Sequence, residues 1–518
     1  MTTSIAHKDY AGWVVHATLP EPTLRDNTAD ADRLCRMLQR QLGITPIHMD
    51  LALRTALPAL LREARYRVRC VIFRDGDCTV LVHVTSGSSR EVLAGLAVDL
   101  GTTRVVLRLV DLEQRQVLSE SAFDNPQSAI GPDVLARIHH ADQSGGGKRL
   151  QQLIVEELNR HAAELCRTLG LGMQNIHLVS VAGNTAMSHL LAGLPVHWMI
   201  REPYIPATNR FGLIPTARIG LSVHPLGQMM IFPCVGSYFG GDLIAGILYS
   251  GLHRRKETAL LVDVGTNAEV VLGNREWMIA CAGAAGPALE GGMSRIGTTA
   301  GPGAIDRVRI DPLTRTFDIH TIGDLAPRGI CGSGVIDLAA QLFFTGMIDI
   351  RGKFRPEACG PRLQIRDGAA FLTIVEADSA EGGRPLQISQ ADMDSLVRSK
   401  AAMYTILETL TGSMGMALDK LSAFMVAGTF GSFIDPRSAI TIGMLPDLPL
   451  DRFVPLGNTS LEGACLALFS RQALNEIDSI RDAVTYMELN VNQDFMNRFS
   501  AAKFIPHTDP GRFPSVKV

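Results

Sequence analysis

The sequence predicts an α/β fold in which a small N-terminal α/β domain precedes an internally duplicated core. The chain has 518 residues, more than one hydrophobic core usually supports. Its residues are 46% hydrophobic and only 6% aromatic, with 49 glycines, which is typical of aliphatic α/β proteins with many tight turns. An apolar strand, an Asp-x-Gly-Thr turn and a second apolar strand occur twice, and Asp263 follows Asp99 by 164 residues. A repeat this long indicates two similar half-domains rather than a solenoid.

Residues 1–92 are predicted to form a linker and the small α/β domain. The Pro-rich connector LPEPTLRDN leads into helices at about 28–42 and 50–65. Two apolar strands, 66–73 and 78–84, flank the turn Arg-Asp-Gly-Asp, and this pattern predicts a hairpin.

The core is predicted to have a first part, residues 93–235, and a second part, residues 236–518. The first part begins with the predicted buried hairpin LAGLAVDLGTTRVVLRLVDL, and the second part contains the predicted buried hairpin ALLVDVGTNAEVVLG. Hydrophobic periodicity predicts the further helices and strands of the core, at about 150–169, 176–181, 335–345, 392–412 and 423–427.

Charge and hydropathy do not favour a nucleic-acid or membrane partner. The formal net charge is -3, and no run of arginine and lysine is interleaved with aromatic residues. No stretch of about 18 or more uninterrupted apolar residues occurs, and the N-terminus MTTSIAHKDYAGW lacks the apolar core of a signal peptide. We therefore expect a cytoplasmic protein.

Nine dispersed cysteines predict reduced thiols rather than a metal cluster. The two that lie closest in sequence are Cys70 and Cys78, and no Cys-x-x-Cys pair occurs. Zinc and iron-sulfur sites usually take ligands in closely spaced pairs, because one turn then presents two thiolates to one metal.

The first Asp-x-Gly-Thr turn carries groups suited to a magnesium-bound triphosphate. Gly101 lets the backbone approach a phosphate, and Thr102 and Thr103 offer hydroxyl and amide donors to its oxygens. Asp99 is a candidate catalytic residue and Mg²⁺ ligand, because Mg²⁺ prefers one or two carboxylate oxygens beside phosphates. The second copy repeats these group types at Asp263, Gly265, Thr266 and Asn267.

The alternative is that each Asp-x-Gly-Thr is only a turn, since all three residue types favour turns. Two copies, each between apolar strands where an unpartnered carboxylate would be costly, favour the phosphate interpretation. We expect the two hairpins to clamp one Mg-ATP, with Asp263 as the second catalytic carboxylate and Mg²⁺ ligand.

This pair of hairpins resembles the superfamily of acetate and sugar kinases, chaperones and actin. The resemblance implies a duplicated actin-like (ribonuclease H-like) ATPase core. MVAGTFGSF is similar to the adenosine motif of that superfamily and assigns Gly428, Thr429 and Gly431 to the nucleotide, although Thr429 stands where glycine is common. SYFGGD, residues 237–242, looks like its first connecting region. Asp242 is then a candidate to orient the attacking water, or else an ordinary helix N-cap.

A further glycine-rich turn, GICGSG at residues 329–334, leads into a predicted helix. Its amides and the hydroxyl of Ser333 could face an anion at the helix N-terminus, which makes Gly332 and Ser333 candidate cofactor-binding residues. A close-packing glycine turn is an equal alternative.

Other motifs resemble the reductive activators of corrinoid proteins, from LPEPTLRDN to near the C-terminus. They are VAGNTAMSHLL, AAGPALEGG, GPGAID, GICGSGVIDL, ISQADM, IDPRSAITIGMLPD and FIPHTD. The resemblance implies ATP hydrolysis coupled to reduction of Co(II) to Co(I) on a partner corrinoid protein of a methyltransferase system.

One departure from the family concerns electrons. Such activators usually carry a ferredoxin domain with four cysteines ahead of the connector, whereas here Cys35 is the first cysteine and falls in a predicted helix. We therefore expect no 2Fe-2S cluster in this chain and a separate ferredoxin or reductase as the electron donor. A homodimer is left open.

Two other functions fit the same hairpins. A small-molecule kinase would need a base placed in line with the γ-phosphate, which Asp242 alone does not establish. A non-catalytic scaffold would use ATP only as a conformational ligand, because a fold does not dictate turnover.

Overall fold

The computed structural model describes residues 11–43, 46–265, 268–283, 296–428, 434–487 and 493–517. The chain divides into two compact units. The first unit comprises Met1–Tyr249 and Thr459–Ala483, and the second comprises Ser250–Asn458 and Val484–Val518. The predicted division at residues 92 and 235 stays a prediction.

The strands of the described residues are β1 (Val14–Thr18), β2 (Ile47–Met49), β3 (Arg67–Asp75), β4 (Cys78–Ser86), β5 (Ala94–Leu100), β6 (Arg104–Asp111), β7 (Gln116–Asp124), β8 (Ile176–Gly183), β9 (Leu213–Pro215), β10 (Gln228–Ile231), β11 (Ala259–Val264), β12 (Ala268–Gly273), β13 (Met278–Gly283), β14 (Ala304–Ile310), β15 (Phe317–Thr321), β16 (Gly329–Ile330), β17 (Leu363–Arg366), β18 (Ala369–Val375), β19 (Leu386–Ser389), β20 (Phe424–Ala427), β21 (Phe453–Gly457) and β22 (Val484–Tyr486).

The α-helices of the described residues are α1 (Asp30–Leu42), α2 (Leu51–Glu63), α3 (Val134–Ala141), α4 (Gly146–Thr168), α5 (Thr185–Ala192), α6 (Thr216–Ile219), α7 (Gly241–Ser250), α8 (Gly332–Phe344), α9 (Pro356–Cys359), α10 (Gln390–Ser413), α11 (Pro436–Thr441), α12 (Thr459–Phe469), α13 (Arg471–Ala483) and α14 (Gln493–Ala502).

The predicted small α/β domain is confirmed within the first unit. Its sheet has the order β1-β3-β4-β2, and β3 and β4 form the predicted antiparallel hairpin. Asp50 is the N-cap of α2, and its side chain accepts a hydrogen bond from Ala52 N at 2.8 Å. Adjacent residues of β4, such as Leu81 and Val82, are both buried, so this strand is covered on both faces over part of its length.

The core sheet of the first unit has the order β7-β6-β5-β8-β10-β9. β5 pairs antiparallel with β6 and parallel with β8. β5 and β8 are almost entirely buried, as expected for central strands of a sheet that is covered on both faces. α4 buries Leu150, Ile154, Leu158 and Leu165, an apolar stripe of helical spacing. α12, from the C-terminal segment of this unit, packs against β5 and β8.

The core sheet of the second unit repeats that arrangement. Its order is β21-β20-β11-β12-β13-β22, in which β11 pairs antiparallel with β12 and parallel with β20. The run β13-β12-β11-β20-β21 therefore has the strand order and directions of β7-β6-β5-β8-β10. The predicted duplication is confirmed at the level of topology.

The second unit adds two three-stranded sheets, β15-β14-β16 and β17-β18-β19. Asp337 links α8 to β14 and α11, because its carboxylate accepts hydrogen bonds from Val308 N at 2.7 Å and from Ser438 Oγ at 2.6 Å. On α10, the buried Lys400 donates to the carbonyl oxygens of Phe504 and Pro506 and so fixes the C-terminal segment. No helix in the described parts of the chain combines the length and apolarity needed to cross a membrane.

Candidate functional site

Asp99 lies one residue before the end of β5, opposite Val106 on β6 and Ala182 on β8. Its neighbours Val98 and Leu100 are fully buried, whereas Asp99 is half-buried. A carboxylate at the end of a central strand is held by two neighbouring strands, so its position is well defined.

The turn that follows Asp99 requires glycine. A Cβ at Gly101 would lie 2.2 Å from the carbonyl oxygen of Arg104, far inside van der Waals contact. Asn125 closes the turn from the other side: its Nδ2 donates to Gly101 O at 2.9 Å, and its backbone N donates to Thr103 O at 2.7 Å. The backbone of the predicted phosphate-binding turn is therefore fixed by a side chain from the end of β7.

Thr102 is held by two side chains that the sequence reasoning did not single out. Its Oγ1 accepts from Asn184 Nδ2 at 2.9 Å, and its carbonyl oxygen accepts from Arg137 Nη2 at 2.7 Å. Because the Thr102 hydroxyl accepts from Asn184, it keeps its own hydrogen for another acceptor. Phosphate oxygens are acceptors, so this orientation fits the predicted role.

Asn184 is the N-cap of α5, where its Oδ1 accepts from Met187 N at 3.0 Å. A signal for it was present in the sequence. Val-Ala-Gly precedes Asn184 at residues 181–183 and recurs at 426–428, at the start of the adenosine motif. The duplication thus extends from the hairpins to the strand beside each of them.

Arg137 of α3 is fully buried, and no carboxylate among the described residues pairs with its guanidinium. It donates through Nε to Gly131 O at 2.9 Å as well as to the Thr102 carbonyl. Burial lowers the pKa of Arg137 to about 10, so it remains protonated at neutral pH. Its charge therefore lies beside the backbone of the predicted phosphate-binding turn.

Asp242 lies in the first turn of α7, and its Oδ1 accepts from Leu243 N at 2.8 Å. It is the second residue of the helix rather than the N-cap. Burial, together with the negative charge of Asp99, raises the pKa of Asp242 to about 6. The structure therefore brings Asp242 and Asp99 close enough for their charges to interact. A carboxyl group with a pKa near neutrality can take up and release a proton.

In the second unit, Asp263 of β11 lies opposite Glu269 on β12 and Ala427 on β20. This register repeats that of Asp99. Gly428 follows β20 with a φ of 85°, and a Cβ there would lie 3.0 Å from Asp263 Oδ1. The second carboxylate and the first glycine of the adenosine motif are thus adjacent.

The remaining candidates of the second unit differ in how far the structure describes them. Gly265 is half-buried directly after β11. Thr266, Asn267, Thr429 and Gly431 lie outside the described residues. Gly332 and Ser333 are the first two residues of α8, where the buried Ser333 Oγ lies 3.2 Å from Cys331 Sγ. An anion-binding role for Gly332 and Ser333 stays a prediction.

Family models match the chain in three consecutive segments. They are the RACo linker region over residues 9–91, the RACo middle region over 94–255, and the C-terminal domain of RACo, described as the ASKHA domain, over 257–517. ASKHA denotes the actin-like and sugar-kinase fold, in agreement with the duplicated sheets and with the predicted fold class.

Known relatives match most of the chain. A corrinoid activation enzyme, RamQ, from Eubacterium limosum is 29% identical over 81% of this chain and 72% of its own length. The [Co(II) methylated amine-specific corrinoid protein] reductase of Methanosarcina barkeri is 24% identical over 78% of this chain and 75% of its own length. A solved structure of a reductive activator for corrinoid, iron-sulfur protein superposes with a TM-score of 0.88 at 36% identity, covering 98% of this chain and 82% of that one.

Proposed function

The chain belongs to the RACo family, and on that premise we propose that it is an ATP-dependent reductive activator of a corrinoid protein in a methyltransferase system. The observation that supports this most is the fold match to a reductive activator along nearly the whole chain. The two named relatives, a corrinoid activation enzyme and a reductase of a Co(II) corrinoid protein, also support it. In the proposed reaction one electron reduces Co(II) to Co(I) on the partner.

ATP and Mg²⁺ are the proposed cofactors. Asp99 and Asp263, each at the end of a central strand, would supply carboxylate oxygens to Mg²⁺. Gly101, Thr102 and Thr103 would receive phosphate oxygens, and the Asn184 and Arg137 contacts keep that turn in place. When bound, Mg²⁺ supplies charge neutralisation to the transferring phosphoryl group.

Asp242 is the proposed general base for ATP hydrolysis. It would accept a proton from the attacking water, and its raised pKa suits proton transfer near neutral pH. Hydrolysis consumes water and releases ADP and phosphate but provides no electron. We propose a separate low-potential donor, a ferredoxin or a reductase, as the source of the electron. Hydrolysis would act by favouring a complex in which the cobalt is reducible, since a ligand shifts an equilibrium only by its differential affinity for the two states.

The test is the visible spectrum of the cognate corrinoid protein under anaerobic conditions, recorded while the donor, ATP and this protein are omitted in turn. We expect Co(I) to form only in the complete mixture. Asp263→Asn should abolish the acceleration, whereas Asp324→Asn, at an exposed carboxylate of the same unit, should not. Co(I) formation at the same rate without this protein, or with Asp263→Asn in its place, would show that the proposal is wrong.

A further inference from the structure

Three histidines of the first unit meet at a point that the nucleotide chemistry does not use. His83 lies on β4, His177 on β8, and His224 in the loop that precedes β10. One ring nitrogen from each lies within 4.8 Å of those of the other two. The ring centroids are separated by 4.5 Å for His83 and His177, 4.6 Å for His177 and His224, and 5.0 Å for His83 and His224.

His177 has no hydrogen-bond partner for either ring nitrogen among the described residues, although it is fully buried. A buried polar group without a hydrogen-bond partner destabilises the folded state, so most such groups in folded proteins have a partner. A ligand that accepts a lone pair from the ring would remove this cost. The imidazole rings of His83 and His224 both contact the ring of His177.

Two of the three rings are held in the neutral form. Burial lowers the pKa of His177 to about 2 and that of His224 to about 4, and the neighbouring histidines add to both shifts. Both rings are therefore neutral at pH 7, which is the form that binds metals. Glu91 is the carboxylate of the cluster, with Oε2 3.4 Å from His83 Nε2.

The backbone holds the third ring beside the second. His224 N donates to Ile176 O at 3.0 Å, which anchors the His224 loop next to His177. His224 Nδ1 accepts a long hydrogen bond, 3.2 Å, from Leu226 N. A metal at Nδ1 would replace this weak contact, so the ring can ligate at little cost.

We propose that His83, His177 and His224 bind one divalent transition-metal ion of the zinc class, with Glu91 as a fourth ligand or as the partner that orients His83. Three imidazoles and one carboxylate or water form a common zinc ligand set, and borderline metals prefer nitrogen donors. The ion would join β4 of the small sheet to β8 of the core sheet. Asp99 lies opposite Ala182, five residues beyond His177 on β8, which is about 16 Å at 3.3 Å per residue. The site is thus separate from the predicted phosphate turn and does not depend on the proposed function.

The test uses the full-length, tag-free protein after chelator treatment. Titration with Co²⁺, followed by visible absorption, and with Zn²⁺, followed by calorimetry, should show one ion per chain, and Zn²⁺ should raise the melting temperature. His83→Gln and His224→Gln should each weaken Zn²⁺ binding at least tenfold, because each removes one ligand. His16→Gln is the matched control, since His16 is exposed and pairs with Glu113 elsewhere in the unit.

Both test positions are only partly buried, so the variants should keep the fold, which circular dichroism checks. Equal Zn²⁺ affinity in wild type and in both variants would overturn the proposal. A wild-type protein that takes up no stoichiometric Zn²⁺ would overturn it as well, and the three rings would then be a packed cluster of neutral histidines.

Discussion

Asp242 and Asp99 lie close together in the first unit. Burial and the negative charge of Asp99 raise the pKa of Asp242 to about 6. If Asp242 is the general base, only its ionised form is active. We expect the ATP hydrolysis rate to rise with pH between about 5 and 7 and then to level off. Phosphate release measured across this range checks the profile. Asp242→Asn should be nearly inactive at every pH while still binding ATP, and a variant that retains the wild-type profile would assign the base elsewhere.

The proposed Mg²⁺ ligands Asp99 and Asp263 can be tested with the same substitution. Asp99→Ala and Asp263→Ala each remove a charge-assisted contact worth about 1.5–3 kcal/mol, so Mg-ATP affinity should fall about ten- to a hundredfold in each. Calorimetry of the folded variants measures this change. Asp124→Ala, which removes an exposed carboxylate at the end of β7, should bind like wild type. Unchanged affinity in both strand-end variants would contradict the Mg²⁺ assignment.

At the scale of elements, Asn184 performs two tasks that one substitution can separate. It caps α5 through Met187 N and donates to the Thr102 hydroxyl. Serine is also a good N-cap but is too short to reach Thr102. We expect Asn184→Ser to keep the melting temperature close to that of wild type and to lower ATP affinity several-fold. Asn184→Ala should lose the cap as well, at about 1 kcal/mol. Loss of stability without loss of affinity in both variants would leave Asn184 with a capping role alone.

Elements that are indicated by a short stretch of sequence could be predicted. They include the hairpins β3–β4, β5–β6 and β11–β12. Their apolar strands and polar turns lie within about 20 residues of chain. The two hydrogen bonds that hold Thr102 could not be predicted, because Asn184 is 82 residues away from Thr102 and Arg137 is 35 residues away. Only the three-dimensional fold joins them. β1 and β2 were also missed, since both are short strands at the edges of the small sheet.

At the scale of the whole molecule, the first unit depends on a segment from near the end of the chain. α12 buries Leu461, Ala464, Cys465 and Leu468, and the indole of Trp13 donates to Ala467 O at 2.8 Å. We expect a chain truncated after Asn458 to be largely insoluble, because the apolar face of β5 and β8 is uncovered. Soluble yield and melting temperature check this expectation. Glu462→Gln, which removes only the ion pair with Arg108, should change stability by no more than about 1 kcal/mol.

Because the first unit is made of two separate segments of the chain, it cannot be completed until late in protein synthesis. Residue 459 follows residue 249 by 210 residues, so the first unit stays incomplete while the second is being made. At about 5–20 residues per second this interval lasts on the order of 10–40 s. During that time the nascent first unit exposes the surface that α12 later covers, and a chaperone that binds apolar surface has its target there. Slower translation would lengthen the interval in which the chain can aggregate, whereas post-translational refolding would have no such interval.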